Sequence, residues 1–201
     1  MEPENLPPFL QSSVQNSIVD RRVGFGRRLG AKLLDSLIVL IIAIVLYYGL
    51  GQELQSTLDQ MVRKAVIESG TDVSVLDGES LDLAMSMAKL FIIVGISGIV
   101  VSLTELFFGA SPGKMLLSMQ IAYEDGRKGN VSLWAKRWTI VNSASLLSLL
   151  GSVTGIALVA SLSNFLSFVI LVGCFLVLSE RRQALHDRVV KSAVYMDKDV
   201  W

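Results

Sequence analysis

The apolar positions of the chain fall into three long blocks. Leu33 to Leu50 reads LLDSLIVLIIAIVLYYGL, eighteen residues with Asp35 as the only charge. At about 1.5 Å per residue this is long enough to span most of a ~30 Å hydrocarbon layer. Leu90 to Phe108 is a second block, and its single charge, Glu105, lies near its end. Thr139 to Leu178 holds forty residues without a charge. That is about twice what one crossing needs, so a helical hairpin is expected. Two glycines in Gly151-Ser152-Val153-Thr154-Gly155 permit its turn, with Ser161 to Asn164 as the alternative break. A cleaved signal peptide is the rival reading of the first block. The leader before it exceeds thirty residues and begins with Glu2 and Glu4, and the apolar run is longer than a signal core, so the segment is expected to be retained.

Basic residues orient these blocks. Lys and Arg number five before the first block, three in residues 51 to 89, five in 109 to 138 and five after residue 178. The segment poorest in bases is the outer one. Both basic flanks of the forty-residue run then lie inside, and the run must cross an even number of times. The expected fold is an all-α polytopic membrane bundle of four spans, about 29–50, 82–108, 133–150 and 156–179, with both termini cytoplasmic. A cytoplasmic segment 1–22 precedes the membrane domain 23–196, an external loop 51–81 and a cytoplasmic loop 109–132 join the spans, and a tail 197–201 follows. Gly95, Ser97, Gly98, Ser102, Ser145, Ser148 and Ser161 are small enough to ease helix packing.

Outside the spans, Leu54, Leu58, Met61, Val62, Ala65 and Val66 recur at helical spacing and predict one amphipathic helix. It either packs on the bundle rim or offers a face to a partner. Ser80, after Asp77-Gly78, is read as the cap of a helix that continues into the second span. Ser111-Pro112-Gly113-Lys114 is turn chemistry, and Met119 to Tyr123 followed by Asp125-Gly126 reads as a short strand and turn. Trp134 and Trp138, interleaved with Lys136 and Arg137, read as interfacial aromatics with snorkelling bases.

Composition narrows the classes further. The chain is 52% hydrophobic against 18% charged, with a mean hydropathy of +0.56, too apolar for an ordinary soluble domain. Eighteen bases balance eighteen acids, so no net field argues for nucleic acid. A single cysteine, Cys174, and a single histidine, His186, exclude an intrachain disulfide and the usual zinc set. No cofactor or metal is expected.

Three motifs carry a resemblance. Phe25-Gly26-Arg27-Arg28-Leu29-Gly30-Ala31-Lys32-Leu33-Leu34-Asp35 opens the first span, SPGK with Leu116-Leu117 follows the second, and Leu185-His186-Asp187 lies in the tail. In this order the chain resembles the RDD family over about residues 23–196. The arginine and two aspartates of that name correspond to Arg28 (or Arg27), Asp35 and Asp187. The external loop is longer than is usual there, and Gly26 and Lys32 stand where aromatic residues are frequent. The resemblance implies a membrane protein without enzymatic activity in a family of mostly unknown role, some members of which are linked to sodium/proton antiport.

The residues themselves carry the reading further. Asp35 is the first candidate, because a carboxylate inside hydrocarbon costs a few kcal/mol unless it meets protein, water or a cation. Lys32, three residues earlier, is within reach of it; Arg28, seven earlier, shares its face and more readily meets a headgroup or another helix. Asp35 is either a cation- or proton-binding carboxylate or half of a buried ion pair. Glu105 reads as a snorkelling acid near the end of its span. Asp187 is read as a latch that folds back on Arg27 or Arg28, and His186 as solvated. Lys114 is assigned to anionic lipid or to a helix end. The charge cluster is thus Arg28, Lys32, Asp35, Glu105 and Asp187, with Arg27, Lys114, Asn164 and His186 as secondary candidates. The acids within the apolar blocks 33–50 and 90–108, Asp35 and Glu105, both lie in the cytoplasmic half, and Asn164 with nearby serines offers only neutral groups for the outer half.

Two functions compete. One is a small-ion or cation/proton transporter in which Asp35 binds the cation, assisted by Glu105 and Asp187, in a bacterial cytoplasmic membrane, with oligomerisation or a membrane partner completing the pathway. The other is a non-catalytic adaptor that holds a partner through its external loop or cytoplasmic face. No nucleophile elbow, Walker loop, GxGxxG or metal cluster is present, so an enzyme is not expected.

Overall fold

The computed structural model describes residues 17–68 and 78–201. Helix α1 covers Phe25–Gly49, α2 Gln52–Glu68 and α3 Gly78–Phe108. Next come the single turn α4 (Pro112–Leu116), strand β1 (Met119–Tyr123) and helices α5 (Val131–Val141), α6 (Ser143–Thr154) and α7 (Ala157–Cys174). A 3-10 turn, Phe175–Leu178, prolongs α7. The tail forms α8 (Leu185–Val189), β2 (Ser192–Met196) and a closing 3-10 turn, Asp197–Asp199. Among the described residues, three helical stretches are long and apolar enough to cross a membrane: α1, α3 and Ser161–Leu178.

The stretch 133–150, expected as one span, is built as two pieces. Helices α5 and α6 have 11 and 12 residues and meet at Asn142, whose Nδ2 donates to the Trp138 carbonyl at 2.9 Å. Each piece is only about 17 Å long, short of a ~30 Å hydrocarbon layer. The backbone bonds from the Asn142 amide to the Trp138 carbonyl and from Leu146 to that of Asn142, both at 2.9 Å, are kept, so the side-chain amide adds a second donor to the Trp138 carbonyl at this junction. Helix α6 ends at Thr154, and Gly155 turns the chain at φ 68°. That left-handed conformation suits glycine, and α7 then runs back along α6. Residues 161–164, the alternative break, lie inside α7.

The chain divides into two units, one holding the described residues up to Asp35 together with Ser102–Trp201, the other Ser36–Val101. In the second, the amphipathic stripe is realised as α2: Val62 is buried, whereas Leu54 and Met61 are exposed. Asp59 pairs with Lys89 at 2.8 Å, and Gln55 Nε2 donates to the Leu50 carbonyl at 3.2 Å. Ser80 lies within the first turn of α3, not ahead of it. Residues 69–77, with Asp77 of the expected cap, and residues 1–16 of the N-terminal segment lie outside the described residues.

The first unit contains the short strand read at Met119 to Tyr123, paired with a second strand that the all-α expectation lacks. Strands β1 and β2 pair antiparallel in the register Met119↔Met196, Ile121↔Val194, Tyr123↔Ser192. One face of this ribbon builds a core of Met119, Ile121 and Val194 with Val23, Ala31, Leu133 and Trp134; the other buries Ala122, Ala193 and Tyr195. Trp134 is therefore a core residue and not an interfacial one. Its Nε1 donates to the Ile121 carbonyl at 3.0 Å. Glycine makes its slot, since a Cβ on Gly109, itself at φ +69°, would fall 2.3 Å from the indole. Trp138 donates from Nε1 to the Ser102 hydroxyl at 3.3 Å. A buried Arg22 ties the entry to α1 onto the ribbon, donating to the Tyr195 hydroxyl at 3.3 Å and to the Glu124 and Arg181 carbonyls at 2.8 and 3.0 Å.

Candidate functional site

Arg28 and Asp35 lie seven residues apart on α1, two turns along one face and about 10 Å apart along the axis. The two ends of that face receive different partners. At Arg28, Nη1 donates to Asp187 Oδ2 at 2.5 Å, Nη2 to the Arg182 carbonyl at 2.9 Å and Nε to the Val23 carbonyl at 3.0 Å. Arg182 adopts φ 49°, an uncommon conformation for a side chain with a Cβ. Asp187 is fully buried in the first turn of α8 and also accepts Arg137 Nε on Oδ1 at 2.8 Å. Arg137 continues the chain, with Nη1 on Glu105 Oε1 and Nη2 3.0 Å from His186 Nε2. Glu105 Oε2 then accepts Lys114 Nζ. The result is a line of alternating charge from α1 through the tail and α5 to the end of α3 and α4.

Asp35 sits at the other end among neutral donors. The Ser111 hydroxyl donates to Oδ2 at 2.6 Å and the Gly113 amide to Oδ1 at 2.7 Å. Gly113 approaches α1 so closely that a Cβ there would lie 2.2 Å from the Ala31 carbonyl oxygen. The SPGK turn is thus a carboxylate seat: serine and glycine supply the donors, and lysine reaches back to Glu105.

Several sequence expectations are corrected here. Lys32, read as within reach of Asp35, is exposed, and Ser111 and Gly113 donate to the two carboxylate oxygens. Glu105 does not snorkel, since its side chain is only 13% exposed between Lys114 and Arg137. Lys114 reaches that carboxylate and not a lipid phosphate. His186, read as solvated, is buried. Of the two arginines, Arg28 meets Asp187, whereas Arg27 is exposed with Nη1 3.1 Å from Met196 Sδ. Asn164 is exposed on α7. The residue missed outright is Arg137. It had a readable signal, because Leu133, Trp134 and Arg137 follow helical spacing and all three are buried. An arginine in such a stripe needs an acid.

The site has distinct electrostatics. Burial raises the Asp187 carboxyl, but Arg137 and Arg28 outweigh it and hold the group well below the usual carboxylate range. Burial, and then Arg137, lower the His186 imidazole to about 3. With Arg137 donating to Nε2, the neutral ring carries its proton on Nδ1, which is buried without a partner among the described residues. The unfolded chain takes up a proton near the ordinary histidine value of about 6.5 and the folded one does not, so stability is level above that pH and falls below it. We expect the unfolding temperature in detergent to drop from pH 6.5 toward pH 5, at a cost of at most about 1.4 kcal/mol per pH unit. His186→Gln, which keeps an acceptor for Arg137, should flatten this slope, and a wild-type profile already flat over that interval would contradict the assignment.

The comparisons bear on the same residues. The sequence model of the RDD family matches residues 22–191. No curated protein matches the chain, and no solved structure does. The match runs from the buried Arg22 through Arg28, Asp35, the SPGK seat and Asp187, and three helical stretches are of membrane-spanning length and apolarity. The chain belongs to the RDD family and is an integral membrane protein.

Proposed function

We propose that the protein is a non-catalytic membrane scaffold that holds a protein partner or a second copy of itself. It has four spans (29–50, 82–108, 133–150 and 156–179), with both termini on the cytoplasmic side of a bacterial inner membrane. Helices α5 and α6 together make the third span, bent at Asn142. The distribution of basic residues supports the orientation.

The observation that carries this reading is the pairing of Asp187 with Arg28 and Arg137. A carrier needs a carboxylate that takes up and releases a proton or cation near neutral pH. Two guanidiniums keep Asp187 ionised there, and each unit by which a carboxyl is depressed adds about 1.4 kcal/mol to the cost of protonating it. Three basic side chains (Arg28, Lys114 and Arg137) and two acidic ones (Glu105 and Asp187), joined across α1, α3, α4, α5 and the tail, suit a rigid platform better than an exchanging site.

Cation/proton transport is the second reading, favoured by Asp35, an acid within an apolar helix seated by two neutral donors. Proton movement in vesicles of purified protein under imposed sodium, potassium and pH gradients separates the two. The scaffold predicts no flux above protein-free vesicles, together with a stoichiometric partner or second copy retained in mild detergent. Gradient-driven flux that disappears in Asp35→Asn would overturn it and make Asp35 the transport site.

A further inference from the structure

The segment 111–117 turns its polar groups and Leu117 inward and the side chains of Met115 and Leu116 outward. The Ser111 hydroxyl and Gly113 amide turn to Asp35, and the Lys114 ammonium turns to Glu105. On the opposite side Met115 is 43% and Leu116 67% exposed, and Phe107 and Phe108 just before the segment are exposed as well. A loop lying in water has the reverse polarity, and adjoining exposed apolar side chains of this size mark a surface that something apolar covers.

Depth identifies that cover as lipid. Helix α1 ends at Gly49, and a hydrocarbon core of ~30 Å takes about 20 helical residues. A core that ends with the helix therefore begins near Gly30 and has Asp35 about 7 Å inside it. Taking Tyr47 and Tyr48 as the interfacial aromatics moves Asp35 deeper still. Ser111 and Gly113 hold that carboxylate at 2.6 and 2.7 Å and so share its depth.

Four backbone amides between residues 113 and 118 meet the condition that such a position imposes. Irregular chain at membrane depth must have its amides satisfied within the protein. The Gly113 amide donates to Asp35, Met115 to the Ser111 carbonyl at 2.9 Å, Leu117 to that of Gly113 at 3.3 Å and Ser118 to that of Met115 at 2.9 Å.

We propose that residues 111–117 form a re-entrant membrane segment, with Met115 and Leu116 in contact with the acyl chains of the leaflet nearest the N-terminus, and not a loop in the aqueous phase. The proposal rests on α1 being a span.

Spin labels test it in the full chain with Cys174→Ala, reconstituted into phospholipid vesicles without other proteins. Labels are placed one at a time through Leu116→Cys and Met115→Cys. Leu33→Cys, on the exposed apolar side of α1, reports lipid, and Lys128→Cys, on the exposed turn after β1, reports water. The expected result is a ratio of oxygen to nickel-chelate collisions at 116 and 115 that matches residue 33 and exceeds residue 128. A water-like ratio at both 116 and 115 with a lipid-like one at 33 overturns the re-entrant segment and leaves the span intact. A water-like ratio at 33 overturns both.

Discussion

Asp187→Asn lowers the stability of the protein by about 3–5 kcal/mol, the cost of removing one partner from a buried ion pair. The carboxylate has no solvent exposure and takes Arg28 on one oxygen and Arg137 on the other. Its loss leaves two guanidiniums near each other with their charge uncompensated, and an asparagine amide turns a donor toward one of them. Asparagine keeps one acceptor oxygen, so either Arg137 loses its acceptor or Arg28 and the Ala184 amide, bonded at 3.3 Å at the start of α8, lose theirs. Detergent-solubilised wild type, Arg28→Gln, Asp187→Asn and the double variant, unfolded thermally at pH 7, measure the effect. Because the two residues touch, the double variant should cost less than the sum of the singles by about 0.5–3 kcal/mol. Additive singles, or a loss below about 1 kcal/mol for Asp187→Asn, would mean that the latch contributes little to folding.

The second large effect comes from a single methyl group. Gly113→Ala places a Cβ 2.2 Å from the Ala31 carbonyl oxygen and 3.0 Å from both the amide nitrogen and Oδ1 of Asp35. The first two belong to the backbone of α1, which yields only if the helix distorts, so the SPGK turn must withdraw and release Asp35. Overpacking costs about 1–3 kcal/mol, and a lost hydrogen bond to a charged group about 1.5–3. The variant should therefore lose roughly 2–5 kcal/mol, or fail to accumulate folded. Gly30→Ala is the matched control. Its Cβ would lie 3.7 Å from Leu117 Cδ1, an ordinary contact, and alanine in a helix interior gains about 0.5–1 kcal/mol over glycine. Equal behaviour of the two variants in the same unfolding assay would remove the seat from the account.

The long apolar helices could be read directly from sequence, because crossing hydrocarbon is a local demand: enough apolar residues in a row and few charges. Leu33–Leu50 and Leu90–Phe108 meet it within their own windows, and so does Ser161–Leu178. The turn at Gly155 also has its cause within a few residues, in a backbone angle that glycine favours. Asn142 lies at the limit of such reasoning. Its bond to the Trp138 carbonyl is local, yet forty uncharged residues hide the interruption behind their apolar composition.

The charge cluster depended on distances along the chain that no window contains. The acids at 35, 105 and 187 announced that partners were needed, because burial makes an unpaired carboxylate costly. Which groups answered was decided in three dimensions: Arg137 reaches Asp187 across fifty residues, and Ser111 reaches Asp35 across seventy-six. Strand β2 pairs with β1 across 69 to 77 residues, and that pairing turns Trp134, by pattern an interfacial aromatic, into a core side chain beneath the ribbon. The amino-acid order by itself thus determined the apolar helices and the residues that would require compensation, both properties of short segments. Only the tertiary structure decided which donor each carboxylate received and that His186 is neutral, because burial and pairing arise when remote segments come together and exclude water.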